Sequence, residues 1–177
     1  LFLDRVRQHR PNLALTGENV QAVAAICRRL DGLPLALELA AARTAVLSLD
    51  QLATRLGNAL ALLAARERGR PERQQTLRAT IDWSYSLLTP DEQQLLAQLA
   101  VFEGGCTLAA IEAIADADAL LLLDSLSALD DHSLLHRHDT AVGEPRFRML
   151  ELVREYASEQ LAARGEEPTV RTRHADY

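Results

Sequence analysis

Apolar residues recur at helical spacing through most of this chain. Val20, Val23, Ala24, Cys27 and Leu30 fall on one face of a 3.6-residue period, which predicts a helix over 17–30 with Thr16 as its cap. Leu3 and Val6, with Phe2, mark the apolar face of an earlier helix over 1–9. Leu35, Leu39 and Ala42 are the predicted buried side of a third, over 34–46. Between the second and third lies Asp31-Gly32-Leu33-Pro34. Gly32 accepts the left-handed backbone that ends a helix without a Cβ clash. Pro34 fits the first turn of the next, where a missing N–H costs no intrahelical bond. A tight corner with a proline ring at a helix start is expected there. Ser48 and Gln51 then have the spacing of a capping box for a short helix through Leu56.

The periodicity lapses over 65–73, where Arg66-Glu67-Arg68-Gly69-Arg70-Pro71-Glu72-Arg73 reads as a polar linker and is also the most basic stretch. It resumes with Leu77, Ile81, Tyr85 and Leu88, Trp83 lying nearby. Thr89-Pro90-Asp91-Glu92 combines a cap, a first-turn proline and a Glu at the third position, a strong helix start. That helix should end near Leu99 to Val101, with Gly104-Gly105 breaking it. Thr107 caps another to Ile114, and Asp118 opens one to about Asp130. The texture then shortens. Segments 133–138 and 146–150, separated by Ala141-Val142-Gly143-Glu144-Pro145, predict a two-stranded hairpin. Leu150, Val153, Ala157 and Leu161 return to helical spacing. Helices, a hairpin and a further helix in this order give the pattern of a winged helix-turn-helix. The expected fold is therefore mainly α: a small helical bundle over 1–64, the linker 65–73, a winged helix-turn-helix over 74–165, and the start of a following helical region over 166–177.

Composition narrows the chemistry. Aromatics make up only 4% of the 177 residues, so Leu and Ala must build the core, which favours helices. All 19 basic residues are arginine. Without lysine the chain can form neither a Walker A phosphate loop nor a Schiff base. The net charge of −6 argues against a nucleic-acid coat. Cys27 and Cys106, far apart in apolar settings, read as reduced core thiols of an intracellular protein. No apolar run reaches the roughly 18 residues of a membrane span. A cytoplasmic protein without a membrane partner is expected, and the chain reads as a piece of a longer one.

No constellation points to catalysis. Ser84, Ser86 and the cysteines lack a base partner, and Glu166-Glu167 reads as a solvent-exposed pair. His132, His136 and His138 cluster, with His136 and His138 on one strand face, but Asp139 completes a zinc site poorly and no metal is expected. The helix that would enter a DNA groove, 119–130, is flanked and populated by Asp116, Asp118, Asp124, Asp130 and Asp131, with no arginine until Arg137. That surface opposes DNA phosphates. Arg146 and Arg148 on the wing are the candidate backbone contacts, and direct DNA binding by this segment is not expected.

Two stretches carry a family resemblance: Cys27-Arg28-Arg29-Leu30-Asp31-Gly32-Leu33-Pro34-Leu35-Ala36 and Gln75-Thr76-Leu77-Arg78-Ala79-Thr80-Ile81-Asp82-Trp83-Ser84-Tyr85, followed by the winged-helix ending Arg146-Phe147-Arg148-Met149-Leu150-Glu151-Leu152-Val153-Arg154-Glu155-Tyr156-Ala157. Together they resemble the STAND class of signalling ATPases (NB-ARC-like), in the bacterial branch of large LuxR-type and antibiotic-pathway transcriptional regulators. The resemblance implies that this chain is the helical and winged-helix middle of such a protein. It implies that Pro34 packs on the adenine of ADP or ATP, with Leu33 and Gly32 beside it, only in the intact protein. The partners implied are a nucleotide-binding domain and a C-terminal repeat region of the same chain, with oligomerisation on activation. The parent would be a slow ATPase switch and this segment no enzyme. Where relatives often carry Met-His-Asp against the ADP phosphate, this chain has Met149-Leu150-Glu151, and Leu150 can supply neither charge nor a hydrogen bond. Two other readings stand beside this one: a winged-helix transcription factor that reads an operator directly, and a pure protein-interaction module.

Overall fold

The structure is a computed structural model describing residues 1–11, 13–17, 19–59, 62, 77–115, 119–138 and 144–177. It divides into two compact units, Leu1–Ala79 and Thr80–Tyr177. The 65–73 linker, Asp118 and the 141–143 turn lie outside the described residues.

The first unit contains α1 (Phe2–His9), α2 (Val20–Arg29), α3 (Pro34–Arg43) and α4 (Leu49–Arg55), the last continued by a 3-10 turn, Leu56–Asn58. Helix α1 packs on α3 and α2 on α4. Phe2 and Val6 are buried from α1, and Arg5 of the same helix reaches Glu38 of α3 at 2.9 Å. The buried side of α2 differs from the predicted stripe. Ala22, Ile26 and Leu30 enter the core, whereas Val20 and Ala24 are exposed. Helix α2 is apolar around most of its circumference, so periodicity alone left its rotation open by about one residue. Helix α3 likewise buries Ala36, Leu37, Leu39, Ala40 and Ala41, leaving Leu35 and Ala42 half-buried. Helix α2 starts at Val20 with Asn19 in the cap position, and Thr16 closes the turn leading into it. Thr16 and Asn19 exchange hydrogen bonds of 2.9 and 3.4 Å, and the Val20 N–H donates to the Thr16 carbonyl at 3.0 Å. The capping box of α4 forms as its sequence requires, Ser48 accepting from the Gln51 N–H and Gln51 from the Ser48 N–H.

The second unit begins within α5 (Leu77–Ser86) and continues through α6 (Pro90–Gln98), a 3-10 turn (Leu99–Val101), β1 (Cys106–Thr107), α7 (Leu108–Ile114), α8 (Ala119–Asp131), β2 (His136–His138), β3 (Arg146–Arg148), α9 (Glu151–Arg164) and α10 (Glu167–Asp176). Thr89 and Glu92 close the second capping box at the start of α6. The hairpin is present, but a third strand joins it. Strand β1 pairs antiparallel with β3, giving the order β1-β3-β2. This strand is only two residues long, below the length at which alternation can be read.

Glycine makes that pairing possible. Gly105 has φ +95, and a Cβ there would lie 2.6 Å from the Phe147 carbonyl oxygen. Helix α9 packs on α6, while Arg154 of α9 makes a two-pronged contact with Glu151 (2.6 and 3.1 Å) and donates to the Ala100 carbonyl at 3.5 Å. Tyr85 of α5 meets Tyr156 of α9 edge-on, with ring centroids 5.3 Å apart. Residues 166–177 supply α10, whose Val170 joins Ala97, Ile114 and Leu161 in a buried cluster of this unit.

Candidate functional site

The Gly32 corner is built by an overlapping pair of hydrogen bonds at the end of α2. Gly32 donates to the Cys27 carbonyl at 3.0 Å and Asp31 to that of Arg28 at 3.1 Å, the pattern that closes a helix through a left-handed residue. Asp31 itself takes the first left-handed position (φ 49) and Gly32 follows (φ 68), so two residues share the role assigned to Gly32 alone. Leu33 is extended (φ −60, ψ 119), which suits a residue preceding proline. Pro34 occupies the first turn of α3. Gly32 and Pro34 are exposed and Leu33 is half-buried, so the proline ring is offered to the surface. The corner is thus a rigid apolar step.

The second candidate region is the outer surface of the winged helix. Within it α6, α7 and α8 are the helices and β2–β3 the wing. Helix α8 buries Leu122, Leu126 and Leu129. Its opposite side carries Leu120, Asp124, Ser127 and Asp131 in one row at helical spacing, with Leu121 and Leu123 to either side. Leu120 is 74% exposed, Leu121 64% and Leu123 47%. No arginine lies between Ala119 and His136. The charge on this helix is wholly acidic.

The wing is different. The register pairs His136 with Arg148, Arg137 with Phe147 and His138 with Arg146. His136, His138, Arg146 and Arg148 therefore share one face of the sheet, and Arg137 and Phe147 the other. Cys106, paired with Phe147, is on the second face and buried. The structure thus brings the predicted pair Arg146 and Arg148 together on one strand, both exposed. Arg146 is nevertheless engaged, donating to the Gly105 carbonyl at 2.9 Å. His136 approaches Asp130 of α8 at 3.7 Å. Among the described residues no three His, Cys, Asp or Glu side chains come together in a metal-binding group.

Arg146 also lines an open cleft of about 610 Å³ with Phe102, Glu103, Cys106, Arg171 and His174. Burial pushes the Cys106 thiol up to about 12, the positive charge of Arg146 opposing it weakly. A thiol so placed stays protonated at neutral pH and is a poor nucleophile. The exposed leucines of α8 were not singled out from the sequence. Their signal was the unbroken run Leu120-Leu121-Leu122-Leu123, which one buried helix face cannot absorb. Among the described residues no helix is long and apolar enough to cross a membrane.

Comparison with known proteins agrees with this architecture. Residues 88–162 match the family model described as a winged helix-turn-helix domain. A Mycobacterium tuberculosis protein named "Putative HTH-type transcriptional regulator" is 48% identical over 180 residues, covering 100% of this chain and 20% of the relative. A Mycobacterium bovis protein of the same description matches equally well. An uncharacterized Mycobacterium tuberculosis protein is 38% identical over 181 residues, covering 100% of this chain and 46% of its own length. The chain thus spans about a fifth to a half of the curated relatives it matches. Family match, helix order and hairpin together identify residues 88–162 as a winged helix-turn-helix domain.

Proposed function

We propose that this chain is the winged-helix-bearing part of a cytoplasmic transcriptional regulator, and that its winged helix works there by protein contact. The names of the mycobacterial relatives support the first half of this reading. The outer face of α8 supports the second and carries it. In the position where operator-reading helices gather Arg and Lys, this helix presents leucine and aspartate.

The resemblance at Gly32-Leu33-Pro34 extends the proposal. The exposed Pro34 ring, with Leu33 and Gly32, forms the adenine side of an ADP or ATP site whose phosphate-binding half belongs to a domain outside the chain. The parent then acts as a slow ATPase switch, and this chain has no hydrolytic activity of its own. Exchange of ADP for ATP shifts the winged helix between two docked arrangements.

A second reading, direct operator binding, has its own support in the family match and in the exposed Arg137, Arg146 and Arg148 of the wing. Magnitudes separate the two. Three arginines neutralise at most about three phosphates, a salt slope near −2.7 on a log–log plot, against the 6–10 contacts of a typical specific binder. A gel-shift titration at low salt against a pool of promoter fragments tests the choice. The protein-contact reading expects no discrete shift at micromolar protein. A sequence-selective shift with a steep salt slope, lost when Asp124 or Ser127 of α8 is changed, would overturn it.

A further inference from the structure

We propose that the outer face of α8 is a docking site for an amphipathic helix of a partner protein, apolar along one stripe and bearing arginine or lysine beside it. The inference rests on the protein-contact reading above and names the chemistry of the partner. Three leucines within four residues, Leu120, Leu121 and Leu123, stand at 74%, 64% and 47% exposure, an apolar concentration that single surface leucines do not make. They occupy the N-terminal half of the helix. Asp124 and Asp131 continue the Leu120 row toward the C-terminus, and Asp130 lies at its edge. The face therefore has a leucine half and a carboxylate half.

Charge complementarity selects the occupant. Helix α8 carries no cation, and the next one along the chain is Arg137 on the wing. Nucleic acid is repelled by the aspartates, and an acidic helix would be as well. A partner helix that sets apolar residues at i, i+3, i+4 and i+7 against the leucines can bring basic residues over Asp124 and Asp131. Its apolar contacts supply affinity, and its charges set orientation and exclude wrong partners. The inner face of α8 holds the platform rigid, since Leu122, Leu126 and Leu129 are all buried.

The test uses the 177-residue chain and a fluorescein-labelled 18-residue helical peptide of leucine, alanine and arginine, read by fluorescence anisotropy. The control peptide has glutamate at every arginine position. Wild type should bind the basic peptide and bind the acidic one at least about tenfold more weakly. The double variant L120S/L123S should lose at least about tenfold, and D124N/D131N about threefold with a shallower salt dependence. All four positions are exposed, so the thermal melt of each variant should match wild type, which shows that folding is unaffected. Equal binding of wild type and L120S/L123S, or equal binding of the two peptides, would overturn the proposal. Its failure is distinguishable from that of the protein-contact reading: no peptide binding together with no DNA shift sinks this inference alone, whereas an α8-dependent DNA shift sinks both.

Discussion

Helix α8 places six leucines on two faces, and the faces differ in every other respect. Leu122, Leu126 and Leu129 sit at 2%, 4% and 0% exposure against the rest of the winged helix. Leu120, Leu121 and Leu123, of the same residue type and a few ångströms away, are exposed beside Asp124 and Asp131. The first group is there for folding. The second contributes less to it, because at 74%, 64% and 47% exposure these side chains gain only part of the roughly 1.5–3 kcal/mol that full burial provides. A helix that keeps leucine on its wet face therefore gives up solubility for little gain in stability, and that is the physical ground of the proposed docking site. The wing makes a second contrast: a few residues later, the chain turns from wholly acidic to His136-Arg137-His138.

The strongest way to break the two-face distinction is to truncate one leucine from each. Leu129→Ala should cost about 2–5 kcal/mol, a cavity being left at a fully buried site, whereas Leu123→Ala should stay within about 0.5 kcal/mol. Urea denaturation of both variants decides it; similar losses would mean that the outer face is also structural. Gly105→Ala asks whether the strand pairing behind the wing is as tightly built as the inner face. With φ +95 and a Cβ at 2.6 Å from the Phe147 oxygen, it should lose about 1–3 kcal/mol, and a wild-type melt would remove the case for a rigid β1-β3 pair. Thr89→Ala, at the capping box of α6, should lose about 1 kcal/mol by the same measurement, with Ser48→Ala giving a similar loss in the first unit.

The last contrast concerns the two thiols, which leave stability at neutral pH unchanged and differ in how far burial raises them. Burial raises Cys106 to about 12 from an ordinary value of 9.0, so the folded state holds a proton that the unfolded state releases above pH 9. Its contribution to stability is complete below pH 9 and falls as pH rises toward 12. Cys27 is also raised by burial, but it is less enclosed. At pH 8 iodoacetamide should therefore modify Cys27 well before Cys106, as read by peptide mass. Faster labelling of Cys106 would show that the β1 face opens to solvent.

Local signals in the sequence were read well where they involve neighbours along the chain. Both capping boxes and the first-turn prolines Pro34 and Pro90 follow from residues within three or four positions of one another, and the hairpin at 136–148 pairs residues only eight to twelve positions apart. Rotational choices were not. Helix α2 buries Ile26 and Ala22 rather than Val20 and Ala24, because either side of that helix was apolar enough to face a core. Strand β1 was missed because its two residues form a strand only when Phe147, forty-one positions away, pairs with Cys106. Of the candidate sites, the acidic character of α8 and the arginines of the wing were legible from composition. That Arg146 spends its guanidinium on the Gly105 carbonyl was not.

The amino-acid sequence by itself determined the mainly helical character, the corner at Gly32 to Pro34, the order of helices and hairpin that makes a winged helix, and the lack of any lysine for phosphate chemistry. These depend on spacing, on caps and on which side chains exist. Only the tertiary structure decided which leucines of α8 are core and which are surface, and that a third strand backs the wing. A helix that is apolar on both sides carries no internal mark of which side will be covered. That is settled by the elements that pack against it.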